Sequence, residues 1–154
     1  MTPAEIREQV RRLDTTSVPE EAAAWEPLRD LGAAVVPYLA EAYPTFRKWQ
    51  GRRALVYHSI RYARASDEAF QLGLQALSDK ATQVRYRACA LLAYSQRRDA
   101  LPHLAPLRDH PDHATAADAR AAIDAIARGN HHYFIDRDHT GRSFWQVNAG
   151  DTAA

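Results

Sequence analysis

Arginine and aromatic residues at helical spacing carry the clearest chemical signal in this chain. Arg53, Tyr57, Arg61 and Arg64 follow one another at steps of four, four and three, which places them on one face of a helix. Gln83, Arg87 and Tyr94 share a face further along, and Arg120 continues the series. If the helices that carry them are neighbours, Arg53, Tyr57, Arg61, Arg87, Tyr94 and Arg120 form one extended surface. Guanidinium groups grip carboxylates and phosphates in a bidentate fork. Arginine and tyrosine are also the residue types enriched at binding hot spots. The partner expected is another protein with an acidic surface. A phosphate backbone suits the same groups, so nucleic acid is the alternative. Against both stands a solvated face whose arginines pair with local carboxylates.

Three other clusters could do chemistry. Asp136-Arg137-Asp138-His139-Thr140-Gly141 opens like a calcium-binding loop, with carboxylates two apart and a glycine sixth. Val147 then stands where a bidentate glutamate is needed, so a hairpin turn is the better reading. His131, His132 and His139 lie near Asp136 and Asp138, and His110 and His113 lie beside Asp109 and Asp112. Neighbouring histidines on a strand diverge, and His110 and His113 flank a turn proline, so no metal site is expected. Asp118 or Asp124 beside a tyrosine is the one option for acid chemistry, and no nucleophile or oxyanion donor can be named beside either. The expectation is therefore a non-enzymatic protein with no catalytic residues and no cofactor.

Composition narrows the class. At 46% apolar and 25% charged over 154 residues, the chain suits one folded domain with a real core. The 20 Lys+Arg against 19 Asp+Glu give a net charge of +1, which supplies no global pull toward nucleic acid or an anionic membrane. Cys89 is the sole cysteine, so no intrachain disulfide can form. The polar start MTPAEIREQVRR lacks a signal-peptide core, no membrane span is present, and a cytoplasmic location is expected.

The positioning elements read as helices. Thr2 and Ser17 each precede a Pro-containing first turn, and Ser66 precedes an acidic one. Ile6, Val10 and Leu13, then Trp25 and Leu28, then Val35, Val36 and Leu39 recur at helical spacing. Gly32 ends one helix, and a break is expected near Gly51 in the region from Thr45 to Arg64. From His131 to Asn148 the pattern alternates, which predicts a β-hairpin bearing Tyr133, Phe134, Phe144 and Trp145.

Three helices open their cores alike, as Arg53-Ala54-Leu55-Val56, Arg87-Ala88-Cys89-Ala90 and Arg120-Ala121-Ala122-Ile123, with the arginines 34 and 33 residues apart. That is the period of a two-helix repeat, whose pairs bury their apolar faces only by stacking. Asp79 followed by Val84-Arg85 and a small-residue helix resembles the HEAT-repeat proteins, including the short bacterial type related to phycobilisome lyase repeats. The resemblance covers about Leu31 to Ala127. It implies a right-handed superhelix of antiparallel helix pairs, with second helices lining a concave face. It implies that Asp79 and Arg85 belong to a ladder of hydrogen bonds between repeats. Asp118 stands where a further arginine is expected, so the ladder is incomplete. The family implies binding and scaffolding, as in an adaptor, regulator, assembly helper or immunity protein; a few relatives are DNA glycosylases or bilin lyases.

The resulting expectation is a mainly α, HEAT-type solenoid. Residues 1–130 form the repeat domain, with a cap at 1–32 and repeats at about 33–128. A β-hairpin cap follows at 131–148, and a frayed tail at 149–154.

Overall fold

Side-chain caps set the first helices. In the computed structural model, which describes Met1–Asp151, Thr2 Oγ1 accepts the Glu5 N–H at 3.1 Å and starts α1 (Pro3–Arg11). Ser17 does the same for α2 (Val18–Trp25), accepting from Glu20. A 3₁₀ stretch over Glu26–Val35, bent at Gly32 with φ of 59°, leads into α3 (Val36–Ala42). Then come α4 (Trp49–Ser59), α5 (Asp67–Ala76) capped by Ser66, and α6 (Thr82–Ser95). The short α7 (Leu101–Leu104) runs on as 3₁₀ turns to Asp109, and α8 (His113–Ala127) starts at the side-chain cap of Asp112.

The helices stack in two rows. α1, α3 and α5 pack in succession as first helices, and α4, α6 and α8 as second helices. Trp25 lies flat on His58, ring centres 3.8 Å apart, which seats α2 beside α4. One continuous core runs from Val10 and Leu13 through Leu55, Phe70 and Leu91 to Ile126 and Phe134. The fold is all-helical and helical-repeat-like. α6 lies at its centre and is buried over both faces, which is why Ala88, Ala90 and Ala93 are small.

Gly51 does not break its helix. It sits in the first turn of α4, where a Cβ would stand 2.8 Å from the Asp14 backbone. Asp14 meanwhile accepts the N–H groups of Arg47 and Lys48 at the entry to α4. The glycine is therefore a close-approach residue.

The expected β-hairpin is not formed: the described residues contain no strand. His131–Phe134 form a 3₁₀ turn capped by Asn130, and a loop closes on Asp136, whose carboxylate accepts from Thr140 N, Thr140 Oγ1 and Gly141 N. From Ser143 the chain runs as an irregular strap over the second helices to Asp151. Its backbone groups find side chains instead of a ladder partner. The Trp145 carbonyl bonds His131 Nε2 at 2.9 Å, and the Trp145 N–H donates to His132 Nδ1 at 2.9 Å. Alternating aromatics report one packed and one free side equally well for a strap and for a strand, and only the bonding partners differ. The expected frayed tail is also corrected in part. Asp151 is buried and accepts from Tyr94 Oη and from the N–H groups of Val147 and Asn148; residues 152–154 lie outside the described part.

No helix among the described residues is long and apolar enough to cross a membrane.

Candidate functional site: an arginine–aromatic face on the second helices

Buried ion pairs fix the register of the second helices. Arg52, at the start of α4, grips Asp79 in a fork, Nε to Oδ2 at 2.7 Å and Nη2 to Oδ1 at 3.2 Å. Tyr43 Oη donates to the same carboxylate at 2.5 Å. One repeat later Arg85 reaches Asp112 at 2.8 Å, Thr115 at 2.8 Å and the Asp79 carbonyl at 2.8 Å. Both arginine–aspartate pairs span 27 residues. Burial alone would raise the Asp79 carboxyl, but Arg52 and Tyr43 more than cancel this and hold it below the ordinary carboxylate range. Asp79 and Arg85 therefore occupy adjacent rungs. Arg52, which sequence reading passed over for its neighbour Arg53, completes the Asp79 rung.

Of the six residues expected to form one surface, four come together. Arg53 lies over the exposed Trp49, its Cζ 5.0 Å from a ring centre. One turn on, Tyr57 is 49% exposed and carries the Arg87 guanidinium at 4.9 Å. Tyr57, Arg61 and Arg87 line a common cavity. Tyr94 does not join them. It is buried under the strap, donating to Asp151 at 2.7 Å and accepting from Asn148 Nδ2 at 2.9 Å. Arg120 is also separate, bonded to the Arg108 carbonyl at 3.1 Å and paired with Asp109 at 3.5 Å. The strap covers Tyr94, which sequence spacing could not show.

The cavity encloses about 360 Å³. Trp25, Tyr57 and Trp145 supply aromatic walls, and Arg29, Arg61, Arg87 and His58 supply polar ones. Arg87 Nε and His58 Nε2 are buried and have no hydrogen-bond partner among the described residues. Such orphaned groups cost about 1–3 kcal/mol each, so two in one cavity mark a place where structure is held for another reason. Glu21 Oε2 stands 3.6 Å from His58 Nε2, beyond hydrogen-bond range but close enough for charge to act. His58, with Arg53 and Arg87 further off, holds the Glu21 carboxyl below its ordinary range against the cost of burial. Tyr57 was the only aromatic wall anticipated. Trp25, His58 and Trp145 come from a cap helix, the flank of α4 and the strap.

The histidines have other work. His131 Nδ1 lies 3.0 Å from Arg64 Nη2, a donor only, so Nδ1 must be the acceptor and Nε2–H must donate to Trp145. His139 contacts Asp124, and His110 Nδ1 accepts the Asp112 N–H. Among the described residues no group of three or more His, Cys, Asp or Glu side chains could hold a metal ion. Cys89 is fully buried and its thiol is pushed up to about 12, chiefly by that burial.

No protein-family model matches the sequence, and no curated protein matches it. Its three-dimensional arrangement does have a likeness. Human deoxyhypusine hydroxylase, in complex with glycerol, superposes with a TM-score of 0.67 at 16% identity over 98% of this chain. This chain shares its fold with an enzyme. It spans about half, 51%, of that protein's chain. At this identity the likeness establishes the fold alone. It still corrects the expectation of a non-enzymatic protein, which leaned on the binding roles common to helical repeats: this architecture also serves an enzyme.

Proposed function

We propose that this chain is a HEAT-type repeat protein that binds an acidic segment of another protein through Trp49, Arg53, Tyr57, Arg61 and Arg87. One observation carries the reading. Among the described residues Arg53, Arg61 and Arg87 make no ion pair, whereas Arg7, Arg52, Arg85, Arg97, Arg128 and Arg137 are all matched to carboxylates. Arg12, Arg47, Arg98, Arg108 and Arg142 are unpaired as well, so what sets Arg53, Arg61 and Arg87 apart is their company: they stand beside exposed Trp49 and Tyr57, the residue types that anchor interfaces. The equal spacing of the Arg52–Asp79 and Arg85–Asp112 rungs supports the HEAT-type assignment.

The test is capture from lysate with wild type and Trp49→Ala/Arg53→Glu, each eluate being divided and one half treated with nuclease. Captured proteins are identified, purified and re-bound at two salt concentrations. An acidic protein held by wild type and lost by the folded variant supports the reading. Equal capture by both overturns it. Nuclease-sensitive nucleic acid, with steep salt dependence, would replace the protein by nucleic acid on the same face.

A further inference from the structure

The cavity beside this face has a composition that selects its ligand. Arg29, Arg61 and Arg87 line it together with His58, and no carboxylate lines it. Arg29 is paired with Glu26 at 3.1 Å on the exposed side, and Arg61 Nε makes one long contact to Asn148 Oδ1 at 3.4 Å. Among the described residues Arg87 Nε and His58 Nε2 have no hydrogen-bond partner but are covered rather than open to the cavity, and His58 Nε2 faces the Glu21 carboxylate at 3.6 Å; the cationic groups that line the cavity without an ion pair are the Arg61 and Arg87 guanidiniums. Trp145, Gln146 and Val147 of the strap close the remaining side, held there by Asn148, which donates to the Arg61 carbonyl at 3.0 Å, and by Asp151. Two guanidinium groups without an ion pair, Arg61 and Arg87, among the aromatic walls Trp25, Tyr57 and Trp145 suit a planar oxyanion with an aliphatic stem.

We propose that this cavity is a carboxylate pocket, which receives one acidic side chain of the partner segment. The inference rests on the protein-binding reading for the source of that carboxylate, and it adds the place where the carboxylate goes. The strap is part of the site, because its Trp145–Val147 run forms a wall.

Tryptophan emission provides the assay, since Trp25 and Trp145 line the cavity and Trp49→Phe removes the third tryptophan. The full chain carrying Trp49→Phe is titrated with hexaglutamate, hexaglutamine, succinate and inorganic phosphate, each to about 50 mM at constant ionic strength. The expected result is saturable change with hexaglutamate and more weakly with succinate, none with hexaglutamine, and at least tenfold weaker binding in Arg61→Ala and Arg87→Met. Arg61 is exposed, so its variant keeps the test valid should Arg87→Met fail to fold. Absence of saturation with every probe overturns the pocket. So does equal binding by the variants, and phosphate binding tenfold tighter than succinate overturns the carboxylate assignment. None of these touches the capture experiment, whose substitutions lie outside the cavity; a failed pocket and a failed protein-binding face are thereby distinguished.

Discussion

Arg137 donates to Asp118 across 3.0 Å, and this pair reverses the polarity of the rungs before it. Arg52 and Arg85 each reach from a second helix to an aspartate of the following repeat. Asp118 holds the corresponding place on α8, 33 residues after Arg85, and the chain after it supplies the cation from the loop that begins the strap. Burial pushes the Asp118 carboxyl upward, and Arg137 only partly offsets this. The last rung thus ties the repeat stack to the segment that closes it.

A charge reversal at that rung should be separable from simple loss. Asp118→Arg places two cations together and should destabilise the fold by about 1–2 kcal/mol, with Arg137 being partly exposed and screened. Asp118→Arg/Arg137→Asp should recover most of the loss. Urea midpoints of wild type, Asp118→Arg, Arg137→Asp and the double variant give the coupling, and simple additivity would remove the rung from the account.

The Arg52–Asp79 rung is far more buried, with side chains 10% and 3% exposed. Arg52→Met leaves the Asp79 charge without its fork and should cost about 3–5 kcal/mol. Arg52→Met/Asp79→Leu should regain much of that, since replacing both partners of a buried pair by apolar groups is often neutral. A double variant no better than the single one would contradict this.

The strap should loosen as pH falls. Burial chiefly depresses the His131 pKa, against the Trp145 carbonyl and Asp151; His132 and Arg64 add to the depression. A depressed histidine means that the unfolded chain binds more protons, so stability is complete above the ordinary value of about 6.5 and declines below it. Protonation at Nδ1 would also set a donor against Arg64. Urea midpoints should fall between about pH 7 and pH 5, and His131→Gln should flatten that slope. A flat wild-type profile over this range would refute the linkage.

Gly51→Ala should destabilise by about 1–3 kcal/mol despite alanine's better helix propensity. The added methyl meets Asp14 Cα at 2.8 Å and Asp14 Oδ1 at 2.6 Å, and a backbone cannot step aside as a side-chain tip can. Thermal denaturation decides it, and a stabilised variant would show that the contact between Asp14 and α4 yields.

The legible part of this chain was its local and periodic chemistry. Thr2, Ser17 and Ser66 announce helix starts because a cap bonds within its own turn. The recurrence of apolar and small residues announces stacked pairs because each pair lacks a core of its own. The Asp79 rung was half legible: Asp79 and Arg85 stand out as ladder residues, but the arginine that grips Asp79 is Arg52, the neighbour of the Arg53 read as part of the surface, and one residue turns a helix by about 100°. The equal 27-residue spacing of the two pairs was the signal that could have found Arg52.

What the amino-acid sequence determined by itself, then, was the stacked helical repeat and the residue types on its second-helix face. Only the tertiary structure decided which of those residues are free. Asp151, at the end of the strap, lies 57 residues from Tyr94 along the chain yet bonds it, and the strap adds Trp145 as a cavity wall. Its path is set by side-chain bonds from His131, His132 and Asp151 to its own backbone, which have no period and leave no pattern in the sequence. Alternation alone therefore suggested a strand, where packing against the helices produced a strap.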